Sequence, residues 1–459
     1  MSDRADLRLR RPAARRRLSP HSDADSGGSA AYARAFLQAK IIALAARAHR
    51  LTRIDYASAG IRPGDLPYAP SPAHFLAANA RLASIQRHID RRLATVRDGW
   101  TLATLPRVLI DIALVEREID RARRAFGMFF EVFGQRGTSF APVLAAHDVI
   151  AEDCYQAVRD GAPRLLEQSA LAPVTYLEHG YSPATMRRGA ALSRLLGEPN
   201  PFPVIRIPWD RDNPWQSVFL HECAHNLQAD MRIWQENRAA VVRRLLAVSG
   251  DRLLASIYGR WHKEIFADLA AVLLGGPAAA WGMAIFLSHP APRMLTYRHG
   301  GVHPTGYLRV LILVEMLRRM GFDADAARLR RVWQRLYDPG HGHRLPVQLL
   351  STAAAVLPHV VDEIAFQTRR NLAHRALADV IRFSHADEAA IQAGARRLAQ
   401  GALPNPALPP RHLVSAASYA LRSGRVAPQS LSAHVVAYLA SHHPPAPATL
   451  GAAQAALAA

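Results

Sequence analysis

Cysteine is nearly missing from this chain: Cys154 and Cys223 are the only two in 459 residues. That excludes a disulfide framework and a four-thiolate metal site. Lysine is equally scarce. Lys40 and Lys263 stand alone among 57 basic residues, so the formal charge of +20 is almost entirely arginine, a bias that fits codon composition better than nucleic-acid reading. No apolar run is long and unbroken. The best candidate, "IFADLAAVLLGGPAAAWGMAIFL" at 265–287, has the length to cross a bilayer, but it contains Asp268 and breaks at Gly275-Gly276-Pro277. A buried core helix, a turn and a second helix are expected there instead of a membrane span. No apolar segment follows the N-terminal arginines, so neither a secretory nor a twin-arginine signal is expected, and the expected location is the cytoplasm.

What is present describes a globular chain. Half of the residues are apolar, enough for two or three domains with a substantial core. Residues 1–30 read as a solvated, disordered tail. Seven arginines fall within its first seventeen positions, followed by "SPHSDADSGGSA". Polybasic blocks attract phosphate without specifying it, so no specific nucleic-acid partner is expected.

Residues 31–170 read as a helical domain. Val108, Ile112, Val115, Ile119, Ala122, Phe126, Phe129 and Phe133 alternate steps of four and three, which makes one apolar stripe on a long helix. Leu82, Ile85, Ile89, Leu93 and Val96 repeat the pattern, and the two helices should form a hairpin around "DGW" and Pro106. Past 170 the texture changes. Val204 to Ile207 is a β-branched run bracketed by prolines, which suits an edge strand. Asn213-Pro214 reads as an N-cap and first helical position. From 351 to 459 the chain is again alanine- and leucine-rich helix, interrupted at 403–410 and 442–449. The expected fold class is therefore mainly α with a small β-sheet (α+β).

The stretch "FLHECAHNLQ" (219–228) carries the chemistry. On a helix His221 and His225 lie one turn apart on one face, where two imidazole nitrogens can meet a single ion. Zn2+ suits such donors, since it accepts imidazole and carboxylate in a tetrahedral arrangement. Glu222 lies about 100° around the helix from His221, placed to reach a water at the metal without ligating it, as a general base must. With 21 histidines and 13 glutamates, a chance match of this kind arises in about three chains per hundred. Cys223 reads as a small apolar filler.

The third ligand decides the site. Gln228 and Met231 stand where one zincin pattern needs glycine and histidine, which excludes that variant. Asp230 falls off the two-histidine face. Five glutamates follow His225. Glu236 reads as lying on a solvated helix, Glu315 has Arg319 four residues on as an ordinary surface pair, and Glu363 and Glu388 lie in the C-terminal helical region. Glu264 differs, because it opens an apolar helix with Asp268 one turn further on. Carboxylates at the edge of a buried helix need partners. A metal ion gives Glu264 one, and Asp268 can then accept a proton from the far nitrogen of a ligand histidine.

His221-Glu222-x-x-His225 followed by Glu264-x-x-Ala267-Asp268 resembles the gluzincin zinc metallopeptidases, over roughly residues 200–320. The resemblance implies a zincin-like core, here 171–350, flanked by the helical domains at 31–170 and 351–459. It implies a zinc-activated water attacking a peptide carbonyl, with the substrate extended along an edge strand, here Val204 to Ile207. The 38 residues between His225 and Glu264 exceed the thermolysin-type separation, and "IWQENRAAVVRRLLAV" reads as an inserted helix. Gluzincins also supply a tyrosine or histidine to the oxyanion. His303 and Tyr307 in "YRHGGVHPTGYLR" are the candidates, four residues apart, with Tyr297 and His299 as alternatives. His341 and His343 read as a loop, not a second metal site. The function expected is a soluble zinc peptidase acting on peptide or protein substrates. The alternative is a non-catalytic, zinc-stabilised regulatory or interaction protein.

Overall fold

The computed structural model describes residues 26–98, 105–167, 170–190, 199–338, 345–403 and 408–444. Among these the chain is mostly helical with one three-stranded sheet. Two compact units emerge. One comprises the described residues up to Arg50 with Ile85–Asp120, and the other Leu51–Ser84 with everything from Arg121 onward.

In the first unit, α1 (Ser26–His49) buries Leu37, Ile41, Leu44 and Ala48 at helical spacing. The helix begins five residues inside the expected tail, and residues 1–25 lie outside the described ones. Lys40 reaches Glu116 at 3.4 Å, and His88 reaches Glu118 at 3.8 Å. The first pair joins α1 to α3 (Leu105–Gly134), and the second joins α2 (Pro72–Asp98) to α3. The turn expected between them lies outside the described residues. Nearly all of the α3 stripe is buried as spaced, but Phe126 is half-buried while Ala125 and Met128 are covered.

The second unit holds the sheet and the site. β1 (Val174–Glu178), β2 (Ala184–Met186) and β3 (Val204–Pro208) order as β1-β3-β2, with β3 parallel to β1 and antiparallel to β2. The strand expected at an edge is thus the central one. Its prolines explain why: Pro203 precedes the ladder and Pro208 ends it, so neither removes a donor from its middle. The free edge of β1 is closed by side chains. Gln135 exchanges hydrogen bonds with Leu177, and Asp148 accepts from the Thr175 amide. That leaves β2 as the other edge.

α4 (Ala141–Gly161) supports the sheet. α5 (Val218–Asp230) begins four residues later than Asn213-Pro214 suggested, because Asn213 opens a turn: its carbonyl accepts from the Gln216 amide. α6 (Trp234–Ser249) covers the segment expected to be a helix between the histidine pair and Glu264. α7 (Arg252–Leu287) starts at an Asp251 N-cap that accepts from the Leu253 and Leu254 amides. It kinks at Gly276, whose φ of 66° and approach to the Phe383 ring admit no side chain. By length and composition α7 can cross a membrane, yet 78% of its most apolar window is buried inside the fold. Gly275 lets it press on Leu220 of α5 and Ser415.

Next come α8 (Ala291–Met294), α9 (Gly306–Arg319) and α10 (Asp323–Leu336). The chain continues through α11 (Val347–Ser351), α12 (Ala353–Val361), α13 (Leu377–Val380), α14 (His385–Ala399), α15 (Pro410–Arg422) and α16 (Pro428–Ala440). No unit boundary falls at 170/171 or 350/351. α16 packs on α4 and α15 on α7, so one hydrophobic core runs from Leu144 to Leu439.

Candidate metal centre

α5 and α7 pack along their lengths, and the facing turns place His221 and His225 opposite Glu264. His221 Nε2 is 3.6 Å from Glu264 Oε2, and His225 Nε2 is 3.3 Å from Oε1. One donor atom from each residue lies within 4.8 Å of the other two. A tetrahedral zinc site with bonds near 2.05 Å separates its donors by about 3.3 Å, a spacing to which the two histidine–carboxylate separations of 3.6 and 3.3 Å are close.

Behind His221 stands a buried chain of charges. Asp268 Oδ1 lies 2.9 Å from His221 Nδ1. Arg309, on α9, donates to both Asp268 oxygens, at 2.5 and 2.8 Å. Its Nη2 is 3.3 and 3.2 Å from the two nitrogens of the His221 ring, so it rests against the ring face and leaves the Nε2 edge toward Glu264. Asp268 fixes the imidazole and Arg309 fixes Asp268.

The electrostatics of these residues favour positive charge beside Glu264 and Asp268. Burial opposes charge on His221, but Asp268 and Glu264 outweigh it and raise its pKa to about 9. Burial also works against charge on Glu264, yet hydrogen bonds from both histidines hold its carboxyl far below the usual range. Asp268 is lowered too, against burial, by Arg309 and His221. His225 moves down, chiefly through burial. In the metal-free fold the carboxylates Glu264 and Asp268 are offset by Arg309 and by a protonated His221, and the charge of Arg187 also bears on Glu264. A divalent ion held by His221, His225 and Glu264 would take the place of the His221 proton.

Glu222 stands outside the ligand trio but inside the same cavity. Burial, aided by the charge of Glu264 and opposed by His221 and Arg309, raises its pKa to about 7. The cavity encloses about 880 Å³. It is lined by Ala184 and Thr185 of the edge strand β2 and by Trp234, Lys263 and His303.

The oxyanion candidates separate. His303 lines the cavity, exposed, with Nε2 3.5 Å from Glu264 Oε1. Tyr307 does not reach it. α9 starts at Gly306, so His303 precedes the helix and shares no helical face with Tyr307, which is buried where its carbonyl accepts from Trp333. Tyr297 bonds Arg260 and packs on His299, and neither lines the cavity.

The other acidic residues are engaged elsewhere. Asp230 accepts from Tyr155 and Arg188. Glu236 accepts from the Arg370 and Asn371 amides, and Glu363 pairs with Arg369. Glu388 accepts from Tyr419. Glu315, expected at the surface with Arg319, is buried and pairs with Arg318, while Arg319 bonds Asp362. Cys223 is buried, as is Cys154. His341 and His343 lie outside the described residues.

Arg309 is the residue that sequence reasoning left without a role. A signal existed: it is the one charge in the apolar run "YLRVLILV". Comparison with known proteins adds no relative, since no family model, curated protein or solved structure matches the chain.

Proposed function

We propose that this chain is a zinc-dependent peptidase of the gluzincin type, with a zincin-like core built on α5, α7 and β2. One observation carries the reading. Glu264 of α7 meets the α5 imidazole pair, while Glu222 of the same α5 helix stays unligated in an open cavity. A purely structural ion needs no such carboxylate beside it.

His221, His225 and Glu264 would hold the ion. When bound, zinc would supply Lewis acidity, acidifying a water and polarising a carbonyl oxygen. Glu222 takes one proton from the attacking water as its oxygen bonds to the peptide carbonyl carbon. It passes that proton to the leaving nitrogen as the C–N bond breaks. A pKa of about 7 suits a group that must both accept and return a proton near neutrality. His303, on the open side, is the donor for the developing oxyanion. The substrate main chain would lie along β2, the sheet edge at the cavity, and not along β3 as first expected.

Glu222→Gln tests the reading. It keeps the ligand trio, so metal content should stay at the wild-type level while hydrolysis of a mixed peptide library falls by about 10²–10⁴-fold. Unchanged hydrolysis in this variant ends the assignment. Bound metal with no peptide cleaved by the wild type favours a structural ion.

A further inference from the structure

The cavity beside the ligand trio is lined by several cations, among them Arg187, Arg238 and Lys263. Arg187 follows β2, Trp234 opens α6, and Lys263 lies on α7 next to Glu264. Lys263 Nζ is 4.2 Å from the centre of the Trp234 ring, and the Arg187 guanidinium is 4.9 Å from the same centre. Arg238, one turn further along α6, adds a third cation whose charge bears on Lys263. Among the described residues none of these three has a carboxylate within ion-pair distance, although the charge of Glu264 bears on Arg187 from further away. Like charges gathered this closely cost stability unless something offsets them. The shared indole offsets part of it, since its ring face attracts both cations and holds them side by side. Their N–H donors are left for a ligand.

We propose that Arg187, Lys263 and Arg238 around Trp234 form an anion subsite of the cleft, and that the preferred substrates are short peptides carrying a carboxylate near the scissile bond. This deepens the peptidase reading and rests on it. The chemistry is the same whether the carboxylate is the peptide's C terminus or an Asp or Glu side chain. Charge-assisted hydrogen bonds to Arg and Lys recognise either, and the cavity volume suits a few residues, not a folded protein.

The test is a calorimetric titration of zinc-loaded Glu222→Gln protein, so that binding is read without turnover. Three probes are used: N-acetyl-tetraalanine with a free C terminus, its C-terminal amide, and the amide with aspartate at the third position. At least one carboxylate probe should bind about tenfold or more tighter than the neutral amide. Which one does so identifies the source of the carboxylate. An Arg187→Gln, Lys263→Gln double variant should lose the difference while keeping its zinc, and Lys263→Arg should preserve it. Equal binding of all three probes, no binding of any, or discrimination that survives in the double variant overturns the subsite. Discrimination that vanishes in the double variant supports it even if the wild type cleaves nothing, an outcome that sinks only the peptidase reading.

Discussion

Replacing Asp268 with asparagine should weaken zinc binding without removing a ligand. The side chain is wholly buried and lies 2.9 Å from His221 Nδ1, so an asparagine oxygen can still accept that hydrogen bond. Its charge is lost. Partners of this kind are worth about 10–100-fold in metal affinity, or about 1.4–2.7 kcal/mol. The upper end is expected here, because Arg309 stays behind: its cation, 3.6 Å from Glu264 and against the His221 ring, then faces the ion without the carboxylate that held it on two hydrogen bonds.

Arg309→Met should act in the opposite sense. It leaves the Asp268 charge in place and removes a repelling cation, so zinc affinity should hold or rise. The metal-free fold should lose about 3–5 kcal/mol, the cost of stranding one member of a buried ion pair. Competition titration against a chromophoric chelator measures affinity, and urea unfolding with the metal stripped measures the fold. If Asp268→Asn leaves the zinc dissociation constant within twofold, or if both variants weaken zinc alike, the argument from the His221–Asp268–Arg309 chain is wrong.

Two further outcomes follow from the structure. His221, lifted to about 9 in the metal-free fold, contributes stability that is complete below its ordinary 6.5 and lost as pH rises through 9. Stripped protein should therefore lose about 3 kcal/mol between pH 6 and 10 relative to zinc-loaded protein, and zinc should bind about tenfold tighter per pH unit up to 9. A flat affinity profile refutes this. Separately, Gly276→Ala should destabilise by about 2 kcal/mol or more, since φ is 66° and the new methyl would sit 2.1 Å from the Phe383 ring. Gly64→Ala, with nothing within 4 Å of the added carbon, should stay within about 0.5 kcal/mol, and equal melting temperatures for the two would contradict the account of the α7 kink.

What the sequence makes legible is whatever depends on local periodicity. His221 and His225 are read from one helical turn, and Glu264 and Asp268 from acids set against an apolar helix start. The stripes of α2 and α3 and the break at Gly275-Gly276-Pro277 follow from the same kind of pattern. What stays hidden depends on contacts between distant segments. Arg309 finds Asp268 across 41 residues, and Arg187, Trp234 and Lys263 meet from three separate elements. Val204–Ile207 reads as an edge because prolines flank it, but β1 and β2 close on both sides. Tyr307 is misplaced because a spacing of four puts two residues on one face only inside a helix, and His303 precedes α9. The packing of α4 on α16 is hidden for a related reason: the two are far apart in sequence and share one core in space.

The convergence of Glu264 on the imidazole pair is tested most directly by metal analysis of purified wild-type and Glu264→Ala protein by plasma emission. The account predicts about one zinc per chain in the wild type and less than about a tenth of that in the variant after dialysis, with the helical circular dichroism unchanged. Full zinc retention in Glu264→Ala, or no zinc in the wild type after reconstitution, would contradict it.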